Sequence, residues 1–259
     1  MRMRFLSLGE SPSPMTMVSE RQPPFGEHRA LVREYLRKLE LPFESVAGTI
    51  VRERLAAEDD EDLLRSSLVL WASDACGGDL RDALPVAASF QLFDRFMRLH
   101  DELVEGRSVA NWGLGQSLNA GDALYAIAFR TLAEDVVDAP RRLKVAGLVA
   151  RAVLESIEGR NVDLERPNDD GLLPQVRSLR RRIAALTGAA LCAGAIIAGA
   201  SDRTVRGFNR AGHLLAVAAT VDDPKLAQRV GAKANEAITR CGVDANHLAS
   251  FKGVVSYVT

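Results

Sequence analysis

The chain has 259 residues, 47% of them hydrophobic, with 33 basic against 34 acidic side chains and a net charge of −1. That length and apolar share suit one large domain around a buried core and exclude a disordered chain. A near-neutral balance offers no positive field for nucleic acid or an anionic membrane surface, so neither partner is expected.

Residues 1–25, with their Ser, Pro and Gln, are expected to form a loose N-terminal tail, and the apolar run before Gly9 is too short for a signal peptide. Residues 26–259 then read as a single helical domain. Leu31, Val32, Tyr35, Leu36 and Leu39 fall on one helical stripe, which Pro42 ends. Helices are expected over 43–57 and 63–76, with the acidic run Glu58–Asp62 between them and Gly77-Gly78 as the stop. A long helix follows over 82–103, with Pro85 in its first turn and Gly106 breaking it. After a loop over 107–114 come helices over 117–135 and 141–164, then the turn-rich loop Arg166–Gly171.

Leu173–Ala200 reads as an apolar helix. Its stretch Ile183–Ala200 carries no charge and reaches the lower length limit for a membrane span. Ala and Gly dominate it, however, and Arg180–Arg182 precede it while Asp202 follows. A helix apolar all round among amphipathic ones is expected at the centre of a bundle rather than in a bilayer. Helices over 204–220, 224–241 and 246–257 close the chain. No stretch alternates with period two and no repeat recurs, so the fold class is all-α, a bundle of nine or ten helices around a central apolar one. Cys76, Cys192 and Cys241 are odd in number and lack paired spacing, which argues against a disulfide framework and for a reducing, cytoplasmic setting. His213 and His247 have no metal-spaced partner and read as ordinary packed or surface residues.

Chemistry concentrates in Leu99–Phe129. Asp101, Glu102 and Glu105 stand at i, i+1 and i+4, which puts Asp101 and Glu105 on one helix face a turn apart. Like charges there repel, and the negative helix end adds to the repulsion. An exposed acidic pair is commonplace, but the same pair can hold Mg²⁺, a hard cation that prefers carboxylate and phosphate oxygens.

The neighbours give this motif its meaning. His100-Asp101-Glu102-Leu103-Val104-Glu105, followed by Trp112-Gly113 and Asn119-Ala120-Gly121-Asp122-Ala123-Leu124, resembles the first aspartate-rich region of the trans-polyprenyl diphosphate synthases. Glu158-Gly159-Arg160-Asn161-Val162-Asp163-Leu164 is similar to a further family motif, as are Arg182–Ala200 and Phe208-Asn209-Arg210-Ala211-Gly212. The resemblance covers residues 27–259. It implies an isoprenoid-synthase-type bundle, Mg²⁺ held by Asp101, Glu105 and Glu102, and an allylic prenyl diphosphate gripped by Arg107, Arg182 and Arg65.

The same resemblance exposes departures. Where the family grips isopentenyl diphosphate with Lys and Arg, this chain has Asp62 and Leu63, and only Arg65 remains basic. A family His is Asp94, the Lys before the family Thr is assigned to Arg182, and the Gln of the Glu-Gly-Gln motif is Arg160. Negative groups at Asp62 and Asp94 oppose a diphosphate, which needs Arg, Lys or helix N-termini. The second aspartate-rich motif is Ala219, Thr220 and Asp223, and Asp223 before Pro224 has the form of a helix cap. Two readings stay open. One is a protein that binds an allylic prenyl diphosphate through Mg²⁺, a prenyltransferase or terpene-synthase-like enzyme if active. The other is a non-catalytic subunit, in a homodimer or a heterodimer, that modulates an active prenyl diphosphate synthase.

Overall fold

Side-chain caps fix where the later helices begin. Asp79 accepts a hydrogen bond from the Arg81 amide, Ser201 from Thr204, Asp223 from Lys225 and Leu226, and Asp244 from Asn246 and His247. Each cap satisfies amides that a helix start leaves without a partner. The computed structural model describes residues 24–41, 44–56, 63–106, 109–165 and 183–259. In chain order the helices are α1 (Gly26–Lys38), α2 (Val46–Ala56), α3 (Leu64–Ala75), α4 (Leu80–Val104), the single turn α5 (Val109–Trp112), α6 (Leu114–Asp135), α7 (Ala139–Glu165), α8 (Ala185–Ile197), α9 (Asp202–Thr220), α10 (Pro224–Thr239) and α11 (Ala245–Val258).

The described residues are helical or connecting, with no strand among them. Two expectations need correction. Helix α4 begins at Leu80, because Asp79 caps it, so Pro85 is an interior residue rather than a first-turn one. The stretch expected as a loop after Arg107 contains α5, and α6 starts at Leu114.

Helix α8 is the centre of the bundle. Every residue from Ala185 to Ile197 is buried except Ile196, and α3, α4, α7 and α9 all pack on it. Residues 173–182 of the expected apolar helix lie outside the described residues. Small side chains let the neighbours come close: a Cβ on Gly194 would stand 2.1 Å from the Val69 carbonyl oxygen of α3. A Cβ on Gly212 of α9 would stand 2.7 Å from the Cα of Gly188. Backbones this close leave no room for any other residue type, and the contact gains come from dense packing. Burial pushes the Cys192 thiol up to about 12, as fits a small packed side chain. Among the described residues no helix is long and apolar enough to cross a membrane.

Aromatic packing ties the C-terminal end to this centre. Trp71 of α3 lies 5.7 Å from the Phe208 ring of α9 and 5.1 Å from Phe251 of α11, and its indole N–H donates to Ser250 Oγ at 2.9 Å. His247 of α11 bridges Asp244 and Asp74, at 2.5 and 3.1 Å. It is thus an ion-pairing residue between helices, not a metal ligand in waiting.

Candidate functional site

The C-terminal turn of α4 carries His100, Asp101 and Glu102, with Glu105 as its C-cap. Helix α6 packs along α4, and Gly121 permits the contact: a Cβ there would stand 2.5 Å from His100 Cε1. The His100 ring also lies 4.4 Å from Phe96, with Nδ1 3.1 Å from the Phe96 carbonyl. The two most specific sequence motifs are therefore one packed unit, with the glycine of the second making space for the histidine of the first.

The acids of the motif point in different directions, because consecutive helical residues are about 100° apart. Asp101 Oδ1 meets Arg160 Nη1 of α7 at 2.7 Å. Glu102 receives both terminal nitrogens of Arg54 from α2, at 2.7 and 2.5 Å. Such fork-to-carboxylate pairing is the strongest and most directional form of ion pair. Glu102 is only 14% exposed, whereas Asp101 keeps 38% of its side chain in solvent. Among the described residues no group of three or more His, Cys, Asp or Glu side chains is arranged to hold a metal ion.

The basic side of the expected site is answered in the same way. Arg65 of α3 lies 2.5 Å from Asp94 of α4, and its Nε donates to Thr187 Oγ1 of α8 at 3.2 Å. Burial pushes the Asp94 carboxyl above the usual carboxylate range, while Arg65 and then Arg95 pull it back. The ion pair is the stronger guide to its state at neutral pH: a carboxylate 2.5 Å from a guanidinium is ionised. Arg107, Arg182 and Asp62 lie outside the described residues. Thr187 and Gly188 of α8, beside which Arg65 sits, follow the buried Leu186.

Among the described residues, the second-motif positions form no cluster of metal ligands. The Thr220 hydroxyl donates to the Ala216 carbonyl at 2.9 Å. Asp223 Oδ1 accepts from the Lys225 and Leu226 amides at 2.9 and 3.3 Å, capping α10 as the following proline implied. Sequence reading missed Arg54 entirely and saw Arg160 only as a replaced glutamine. The available signal was charge: each arginine is a cation in a helix whose partner helix presents an acid.

The polyprenyl synthetase family model matches residues 62–223. A geranylgeranyl diphosphate synthase of Mycobacterium tuberculosis is 33% identical over 179 residues, which are 65% of this chain and 51% of that protein. The chain spans about half the length of the first curated relatives it matches. Among solved structures, the geranylgeranyl pyrophosphate synthetase of Pyrococcus horikoshii superposes with a TM-score of 0.81 at 16% identity, covering 90% of this chain and 95% of that one. A mint heterotetrameric geranyl pyrophosphate synthase gives 0.75 at 19% identity, covering 89% and 97%. These likenesses carry the fold.

The family generally uses Mg²⁺, and the described residues fit it poorly. Asp101 and Glu102 already hold arginines, and Asp223 spends its Oδ1 on the start of α10. A dication with a diphosphate needs several convergent oxygens and nearby cations to balance the phosphate charge. Matched over more than half its length and folded as its relatives are, with both of its strongest motifs packed together at the end of α4, the chain belongs to the polyprenyl synthetase family.

Proposed function

We propose that this family member does not elongate isopentenyl diphosphate by itself and serves as a partner subunit of an active prenyl diphosphate synthase. The carrying observation is that its ligand-facing charges are neutralised from within. Asp94 takes the guanidinium of Arg65, and Arg160 takes the carboxylate of Asp101. A diphosphate or a dication would first have to displace these pairs, and separating a partly buried pair costs on the order of 3 kcal/mol. The exposed apolar side chains Leu114 and Leu118 on α6 and Leu154 and Ile157 on α7 support a protein-facing surface. The likeness to a heterotetrameric synthase is consistent with assembly of this fold from unlike chains. Cytoplasmic residence belongs to the same reading.

The test has two arms. The purified chain, given Mg²⁺, an allylic primer and isopentenyl diphosphate, should yield no longer prenyl diphosphates. Co-expressed with an intact synthase from the same source, it should co-purify and change the product length. Elongation by the chain alone, or failure to associate, would sink the proposal.

A second reading has one observation in its favour. Asp101 remains partly exposed and shares a face of α4 with Glu105. Mg²⁺ with farnesyl diphosphate would bind there if the ligand outcompetes Arg160. Melting wild type against Asp101→Asn with Glu105→Gln, each with and without Mg²⁺ and ligand, separates the cases. A hundredfold ligand excess should stabilise a true site by about 2.7 kcal/mol. Equal melting with and without ligand assigns the motif no binding role.

A further inference from the structure

A cavity of about 520 Å³ opens between the first half of α7 and the turn that joins α8 to α9. Its walls include Lys144, Gly147, Leu148 and Arg151 of α7, with Ile196 and Val205 opposite. Lys144, Gly147, Leu148 and Arg151 stand at i, i+3, i+4 and i+7, one face of the helix. The two cations therefore bracket a floor of glycine and leucine. A Cβ at Gly147 would meet only Arg151 Nη1, at 3.7 Å, so the floor is open.

The charges here differ from those at the end of α4. Among the described residues, no carboxylate pairs with Lys144 or Arg151, and both are exposed. The third cation, Arg141, is already used: Nη1 donates to the Ile197 carbonyl at 2.6 Å and Nε lies 3.3 Å from Asp138. Asp202 is the acidic group on the rim, and it sits in the first turn of α9, where the helix N-terminus offsets its charge.

Two strongly exposed apolar side chains lie at the same place. Val137 and Leu143, at 89% and 76%, are the most exposed large apolar side chains among the described residues. Leu143 lines this cavity, and Val137 lines an adjoining one of about 310 Å³ that also contains Ile197, Asp82 and Asp138. The adjoining cavity repels an anion but can take a hydrocarbon chain. Volumes of this size are those of small-molecule sites, and an exposed apolar patch of this kind marks a binding surface.

We propose that this cavity binds an amphiphilic anion, with a phosphate head between Lys144 and Arg151 and a prenyl chain over Leu148 and Ile196 toward Val137. No metal ion is required, because the protein's own cations meet the head. The isoprenoid nature of the chain rests on the proposed function above; the need for an anionic head and an apolar tail does not. Arg160, which holds Asp101, is sixteen residues beyond Lys144 on the same helix, about 24 Å along its axis. The site is thus distinct from the family site, and it is placed to report prenyl phosphate level to a partnered synthase.

The experiment is calorimetric titration of the full chain in EDTA with farnesyl diphosphate, farnesol, inorganic pyrophosphate and palmitate. Farnesyl diphosphate should bind, and the headless, tailless and non-isoprenoid probes should bind at least about tenfold more weakly. Lys144→Glu with Arg151→Glu should weaken binding about tenfold or more. Gly147→Leu should do the same by filling the floor while leaving the charge count unchanged. Asp101→Asn should bind as wild type does. Melting of each variant checks that it folds. No binding in EDTA, wild-type affinity in either the Lys144→Glu/Arg151→Glu or the Gly147→Leu variant, or palmitate binding as tightly as farnesyl diphosphate would overturn the proposal. Binding that appears only with Mg²⁺ and vanishes in Asp101→Asn would return the ligand to the end of α4. Co-purification with a synthase is read separately, so failure of the partner role and failure of this site are distinguishable.

Discussion

Where α8 crosses α3, a hydrogen on Gly194 occupies the space in which a Cβ would stand 2.1 Å from a backbone oxygen. Where α4 meets α2, α3 and α7, each buried or half-buried acid meets an arginine. The first region forbids volume and the second demands an opposite charge. The first demand can be met only by small residues and preserves the fold. The second can be met by a ligand or by the chain itself, and here the chain meets it. The family fold persists here with these acids and arginines paired within the chain.

The sharpest way to break this comparison is to add volume at α8. Gly194→Val should cost about 3 kcal/mol or more, because the clash is with backbone and no side chain can yield. Urea unfolding measures it, and a loss under about 1 kcal/mol would mean that α3 and α8 can separate freely. Next in size is Asp94→Ala, which strands Arg65. A fully buried pair loses about 3–5 kcal/mol when one partner goes, and since Arg65 is 26% exposed, about 2 kcal/mol is expected. Adding Arg65→Leu should recover most of that, a double-variant cycle that separates a stranded charge from lost packing.

Arg160→Gln should cost less than about 1 kcal/mol, since Asp101 remains wetted. Its effect lies elsewhere: with the Arg160 guanidinium gone from beside Asp101, the melting temperature should begin to rise with Mg²⁺ in a way that wild type does not. An unchanged metal response would show that Arg160 is not what blocks the motif.

The smallest effect is in pH. Burial lowers the His247 value, but the hydrogen bonds its ring donates to Asp74 and Asp244 outweigh it and hold His247 above the ordinary histidine range. Its contribution is full below the unfolded value near 6.5 and is lost as pH rises through the folded one. His28 behaves oppositely: burial holds it low, against Asp74 and Glu27, so its contribution is full above 6.5 and lost as pH falls toward the folded value. The charges facing this pair from the packed helices are Asp74 of α3, Asp244 of α11 and Glu27 of α1. The melting temperature should therefore peak near pH 6.5. In His247→Gln the decline on the alkaline side should flatten while the acid side remains.

Much of the fold was legible because it rests on local patterns. The uncharged Ala-Gly run announced α8, and Asp223-Pro224 announced a cap. The helix starts at Leu80 and Leu114 were harder to read, since a cap such as Asp79 looks like any surface acid. The site was legible only in half. Asp94 and Asp62 could be seen to oppose a diphosphate, but that Asp94 is answered by Arg65 depends on helices 29 residues apart being neighbours. The pairing of Glu102 with Arg54 spans 48 residues, and no spacing rule reaches that far. Charge complementarity across a bundle is a property of packing, visible once the helices have partners.

Helix α8 has one more consequence, in time rather than in space. Its amides are bonded along the helix and sheltered on every side by α3, α4, α7 and α9. No local fraying can expose them, so solvent reaches them only when the whole bundle opens. In deuterium exchange they should be the last protons to leave, and their rate should track global unfolding. A partner or ligand that binds the folded chain should slow that rate by its full binding free energy, however far from α8 it sits.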